Sequence, residues 1–275
     1  MKLLGVTTLI SVFLLLGCQS TSLDNQIDYR NTLITIEAVT KNNEQLSSQS
    51  GMGFVLTKDE LACYVVTAKH VIPQPYYKLL YKHWNSPTNH EDIEFVGASS
   101  DLDIAVLKLP LKGELCSPVY MEIDPNTVNL GDEIQVFGHP AIRYNEAPTR
   151  YYKSASSGVV STFLDKYNGQ GFPAIATTAM VSPGFSGSAV FSDFKSKSVK
   201  VIGMLVESFN QNVHQVDRLS PSLSIVLPSY VLTQSVNEII ENYKANKTSN
   251  SPEAKIKDVP SEPDLSIEKG NVEER

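Results

Sequence analysis

From residue 29 to residue 243 the chain is divided into short β-branched runs by turn residues, and this division constrains the fold more than any other feature. NTLITIEAV (31–39), GMGFVLT (51–57), CYVVTA (63–68), IEFVGAS (93–99) and DIAVLKL (103–109) begin the series. EIQVFGH (133–139), SGVVSTF (157–163), AIATTA (174–179), SAVF (188–191), KVIGMLVES (200–208) and LSIVLP (223–228) continue it. Side chains of this type fit a pleated, half-buried surface. Turn signals such as Asn168-Gly169 and Pro183-Gly184 separate several runs. Many short strands with few helical periods imply an all-β domain, a sandwich or a barrel. One segment breaks the pattern. After Pro228, the residues Val231, Leu232, Ser235, Val236, Ile239, Ile240 and Tyr243 recur at spacings of three and four, with Ser229 placed to cap an amphipathic α-helix. That helix closes the domain.

The ends of the chain read differently. MKLLGVTTLISVFLLLG carries one lysine and then an apolar run too short for the roughly 20 residues that span a bilayer, which suits a secretory signal over residues 1–17. Leu15-Leu16-Gly17-Cys18 resembles the lipobox of bacterial lipoproteins. That resemblance implies diacylation of Cys18, a lipidated tether over residues 18–28, and an exported protein anchored to a membrane of the bacterial envelope by lipid. Residues 244–275 are polar and Pro-, Glu- and Lys-rich, with no aromatic, and read as a disordered tail. Residues 29–243 remain as one folded domain. Cys63 and Cys116 are then one candidate disulfide pair in an oxidising compartment, or two buried thiols. The net charge of −7 and the lack of a Lys/Arg run make nucleic acid and anionic lipid surfaces poor candidate partners. No histidine pair has metal-ligand spacing and no Cys-x-x-Cys occurs, so neither metal nor cofactor is expected.

The stretch SPGFSGSAVF (182–191) sets Ser186 between Gly184 and Gly187. Glycine serves where a backbone takes positive φ or approaches a ligand closely. A serine hydroxyl becomes a nucleophile only beside a base, an acid that orients the base, and donors for the developing oxyanion. Among five histidines, His70 has the most specific setting, at the end of the apolar run CYVVTAKHVI. The acid follows in DLDIAVLKL, where Asp103, rather than Asp101, directly precedes the strand.

Together these blocks resemble the chymotrypsin-like (trypsin-like) serine endopeptidases, closest to the bacterial HtrA/DegP-like and glutamyl-endopeptidase-like branches. GMGFVL with YVVTAKHVI, then DLDIAVLKL, GDEIQVFGHP (131–140), and SGVVSTF with SPGFSGSAVF and VIGMLVES run in that family's order. The order His70, Asp103, Ser186 is also that of the double-barrel peptidases and not that of subtilisins or α/β-hydrolases. The resemblance implies a chymotrypsin-like double β-barrel with a catalytic triad of His70, Asp103 and Ser186. It implies an oxyanion hole from the N–H groups of Gly184 and Ser186, and a polypeptide substrate. Phe185 departs from it, because relatives carry aspartate or asparagine before the serine. The PDZ domain that usually follows the peptidase in HtrA proteins is not expected in the polar segment 244–275.

By position, Met180 falls near the base of the first specificity pocket, Val206, Glu207 and Ser208 along one wall, and Ser224 on the other. No aspartate stands at that base, so a modest apolar residue is the expected preference at the cleaved bond, with glutamate, read by His214, as a minor option. Two other functions fit the same scaffold: a peptide-binding pseudo-peptidase or chaperone, and an esterase.

Overall fold

In the computed structural model the described residues are 29–42, 45–85, 90–111, 116–142, 150–167, 171–193, 199–209 and 223–249. The first half holds β1 (Leu33–Asn42), β2 (Gln45–Lys58), β3 (Ala62–Thr67), β4 (Lys78–His83), β5 (Glu91–Asp92), β6 (Glu94–Ala98) and β7 (Ala105–Pro110). The second holds β8 (Glu133–Gly138), a small pair β9 (Ala141–Ile142) and β10 (Arg150–Tyr151), then β11 (Ser154–Tyr167), β12 (Phe172–Thr177), β13 (Ala189–Ser192), β14 (Lys200–Phe209) and β15 (Leu223–Pro228). The helix α1 (Ser229–Ser249) ends the described chain. Strand β4 escapes a search for apolar runs because lysines interrupt KLLYKH. Its alternation is nonetheless strict, with Leu79, Tyr81 and His83 buried.

The strands form two sheets. Strands β11, β12, β15, β14, β13 and β8 close into a six-stranded barrel. The seven strands of the first half run in the order β5-β4-β1-β2-β3-β7-β6 and curl without closing. Two closed barrels were expected, and only one is found. The reason lies at Ile93. The edge strands β5 and β6 are successive pieces of one run, broken at this buried residue, whose N–H turns to the Leu79 carbonyl (3.2 Å). One end of the run pairs with β4 and the other with β7, so the two edges join through the backbone and not through a ladder.

The connection between the sheets is tied to both. Val119 N–H donates to the Val55 carbonyl of the first sheet (3.0 Å), and Met121 bridges Val201 of the second. The larger apolar core crosses the seam: Leu33, Phe54, Val66 and Leu107 of the first sheet share it with Phe137, Phe191 and Met204 of the barrel. Trp84 packs edge-on to Phe137 at that seam (5.8 Å between centroids). A second cluster, including Ile134, Val136, Val160, Ile202 and Phe185, fills the barrel itself.

The helix outruns its apolar periodicity, which ends at Tyr243, and runs on to Ser249. Long-range polar contacts hold these last turns. Lys244 pairs with Asp59 (2.7 Å), and Lys247 with Glu94 (3.2 Å), whose carboxylate also accepts the Tyr243 hydroxyl. At the helix start the Ser229 hydroxyl donates to the Glu122 carbonyl, joining the helix to the inter-sheet connection. Among the described residues no helix is long and apolar enough to cross a membrane. The expected signal, the Cys18 lipidation site, the tether and residues 250–275 lie outside the described residues.

Candidate active site

The register of β3 against β7 brings the histidine and the aspartate together. The ladder ends at Thr67 opposite Ala105. His70 lies just beyond one strand end, in a single 3₁₀ turn (Lys69–Val71), and Asp103 just before the other. Both Asp103 oxygens are used: Oδ1 accepts the His70 backbone N–H (2.9 Å) and Oδ2 meets Nδ1 of the ring (2.6 Å). The turn is fixed from its other side by the Gln49 amide, which donates to the His70 carbonyl (2.8 Å). With Nδ1 against a carboxylate, Nε2 is the ring nitrogen that makes no hydrogen bond among the described residues. The Asp103 hydrogen bond raises the proton affinity of His70 above the ordinary value of 6.5; burial opposes this, and the charges of Asp103 and Glu207 add to it. The ring remains 44 % exposed, so it faces the solvent side of the cleft.

Ser186 comes from the barrel, in the turn that leads into β13. Gly184 (φ +99°) and Gly187 (φ +84°) both take the left-handed conformation expected of this turn. Neither position has space for a side chain. A Cβ on Gly187 would stand 2.1 Å from the Met52 carbonyl oxygen, and one on Gly184 would stand 2.6 Å from that of His139. The turn is bonded on three sides. Met52 N–H donates to the Ser186 carbonyl (2.8 Å), Gly187 N–H to Leu205 (2.8 Å), and His139 N–H to the Gly184 carbonyl (3.0 Å). Among the described residues the N–H groups of Gly184 and Ser186, expected to form the oxyanion hole, donate to no protein acceptor.

Phe185 explains how the turn keeps its shape without a carboxylate before the serine. Its side chain is 3 % exposed and belongs to the barrel's own apolar core. The ring lies so close over Gly138 that a Cβ there would meet it at 2.3 Å. The departure from the family pattern is thus an apolar anchor in place of a polar one. Sequence reading did not pair Phe185 with Gly138, although Gly138 stands in the GDEIQVFGHP block.

His70, Asp103, Gly184 and Ser186 all line one cleft of about 890 Å³ between the sheets, with Gln49, Lys69, Asp101, Val206 and Glu207 also on its walls. Two of the residues expected in the specificity pocket do not line it. Met180 is 75 % exposed, turned outward beside the buried Ala179. Ser224 is buried and its hydroxyl is taken by the Ala179 carbonyl. Ser208 is placed by its backbone in β14, opposite Ser224, and His214 lies outside the described residues. Cys63 and Cys116 are both buried, with Cα atoms 5.8 Å apart, a span that a disulfide bridges. No cluster of potential metal ligands occurs among the described residues.

A β-barrel and a curled β-sheet meet at a cleft with a histidine–aspartate pair on one wall and a glycine-flanked serine on the other, the arrangement expected of a domain of the trypsin-like class. The model of the trypsin-like peptidase domain matches residues 51–204, more than half of the chain, and the chain belongs to that family. It is similar to proteins described as "Serine protease HtrA-like" from two strains of Staphylococcus epidermidis, each 26 % identical over 248 residues. The match takes in 86 % of this chain and 38 % of each relative, so the chain spans well under half the length of the curated relatives it matches.

Proposed function

We propose that this chain is a serine endopeptidase that hydrolyses peptide bonds of exported proteins through an acyl-enzyme. Ser186 Oγ attacks the peptide carbonyl as His70 Nε2 takes its proton, and Asp103 holds the ring and balances the imidazolium charge. The tetrahedral oxyanion is received by the N–H groups of Gly184 and Ser186, a contact in which one donor is worth about 3–4 kcal/mol. His70 passes the proton to the leaving amine, the C–N bond breaks, and water hydrolyses the ester by the same route in reverse. The observation that carries this reading is the 2.6 Å contact between His70 Nδ1 and Asp103 Oδ2 in the same cleft that Ser186 lines. Export, and lipid anchoring at Cys18, are supported by the N-terminal sequence. A Cys63–Cys116 disulfide, supported by the Cα separation, suits that compartment.

The test is active-site labelling. A fluorophosphonate probe is expected to label the full chain at Ser186, with labelling abolished in Ser186→Ala and strongly reduced in His70→Ala. Folded protein that is neither labelled nor able to cleave any member of a peptide library would exclude the hydrolytic reading and favour a peptide-binding scaffold.

A further inference from the structure

We propose that Glu207 reads substrate charge in the cleft, selecting polypeptides with a lysine or arginine shortly before the cleaved residue. The proposal rests on the peptidase reading above and adds the chemical class of substrate.

Strand geometry puts Glu207 in position. The Leu205 carbonyl of β14 accepts the Gly187 N–H, so this strand runs directly beside the nucleophile turn. The β14–β15 ladder then slips: Leu205 opposes Val226, but Glu207 opposes Ile225, which leaves Val206 as an extra residue. Such a bulge re-aims side chains that strict alternation would turn away. The result is that Leu205, Val206 and Glu207 all line the cleft. At a rise of about 3.3 Å per residue, Glu207 stands roughly 7 Å along the strand from Leu205. A substrate strand laid antiparallel to β14, with its scissile carbonyl at Ser186, carries its preceding residues past that point.

The charges of the cleft point to a cation. Three carboxylates line it, Asp101, Asp103 and Glu207, against one lysine, Lys69. Asp103 is engaged by His70, and the Lys69 ammonium donates to the Ser99 carbonyl (2.8 Å). Leu205 and Val206 are fully buried, while Glu207 beside them is half-buried and has neither ion pair nor hydrogen bond among the described residues. A carboxylate kept partly out of water with no partner favours a ligand that supplies one. Its field reaches the catalytic base, since Glu207 is among the groups that raise the proton affinity of His70.

The test uses N-acetylated fluorogenic peptides that differ only in lysine, glutamine or glutamate at about two to four residues before the cleaved bond. In the full chain at low salt, kcat/KM is expected to favour lysine over glutamine by about two- to fivefold, the worth of one part-exposed ion pair, and to fall further for glutamate. Added salt compresses the ratio. Glu207→Gln removes most of it and moves the acid limb of the kcat/KM profile to lower pH, whereas Glu207→Asp retains the preference. An active enzyme whose lysine-to-glutamine ratio is the same in wild type and Glu207→Gln overturns the inference and leaves the peptidase reading intact. A preference seen only with free-amine peptides assigns the cation to the substrate N-terminus and also overturns it. Failure of both labelling and cleavage removes the peptidase reading itself, and the inference with it.

Discussion

The two sheets contribute to the site by opposite means. The curled first sheet supplies His70 and Asp103 at the free ends of two paired strands, where one carboxylate satisfies both a backbone N–H and a ring nitrogen. Its half of the site is polar, part-exposed and defined by strand register. The closed barrel supplies Ser186 on a turn whose neighbour, Phe185, is sunk in an apolar core, and whose glycines take conformations that leave no space for Cβ. Its half is defined by packing. The contrast fits the chemistry proposed for each half. An acid–base pair needs solvent contact and a tuned proton affinity, while an oxyanion site needs donors fixed in advance of the reaction.

The contrast predicts different failures on the two sides. The largest effect belongs to the polar half. Asp103→Asn is expected to lower kcat by about 10⁴-fold while the protein stays folded, because the ring loses its tautomer and orientation. In the wild type the acid limb of kcat/KM should lie above the ordinary imidazole value of 6.5, since the base must be neutral to act and its proton affinity is raised. Removing the Asp103 charge and hydrogen bond moves that limb downward. A pH–rate series on both proteins checks the sign, and an unmoved limb would mean that His70 is not the group that titrates.

On the packed side, loss of activity and loss of stability should travel together. Phe185→Ala removes a buried aromatic ring and is expected to cost about 3–5 kcal/mol of unfolding free energy, read by denaturant melts. It should also slow fluorophosphonate labelling, with Phe185→Leu recovering much of both. A Phe185→Ala protein labelled at the wild-type rate would show that the turn holds its form without the ring. The smallest effect is expected far from the cleft. Lys244→Met breaks the ion pair that ties the helix to Asp59 and should change stability by less than about 1 kcal/mol, because both partners are partly solvated. A larger loss in the melt would give the last turns of α1 a structural weight that a surface pair does not carry.

Much of this was legible in the residues, for reasons that differ by element. Period-two alternation and turn residues disclose strands, because each strand buries a face locally. Most of the expected runs are strands in the structure, and β4 was hidden only by its lysines. The strand-boundary positions of Ser186, His70 and Asp103 were legible because each is marked by its own local pattern. The pocket wall was legible in part, since Val206 and Glu207, placed there by position, line the cleft. Positional counting along the chain put Met180 and Ser224 on the cleft walls, but Met180 turns outward beside a buried alanine and Ser224 spends its hydroxyl on a backbone carbonyl. The bulge at Val206 depends on a ladder between two strands and has no signature in either one alone.

The sequence by itself determined the all-β class, the closing helix, and the three chemically distinctive residues with the glycines around the serine. These are short-range properties, set by the periodicity and backbone freedom of a few consecutive residues. Only the tertiary structure decided that one sheet closes while the other joins its edges through Ile93, that Phe185 rests on Gly138, and that Met180 is turned outward. Each of those depends on which residue lies opposite which across a long loop of chain, and local propensity carries no information about that pairing.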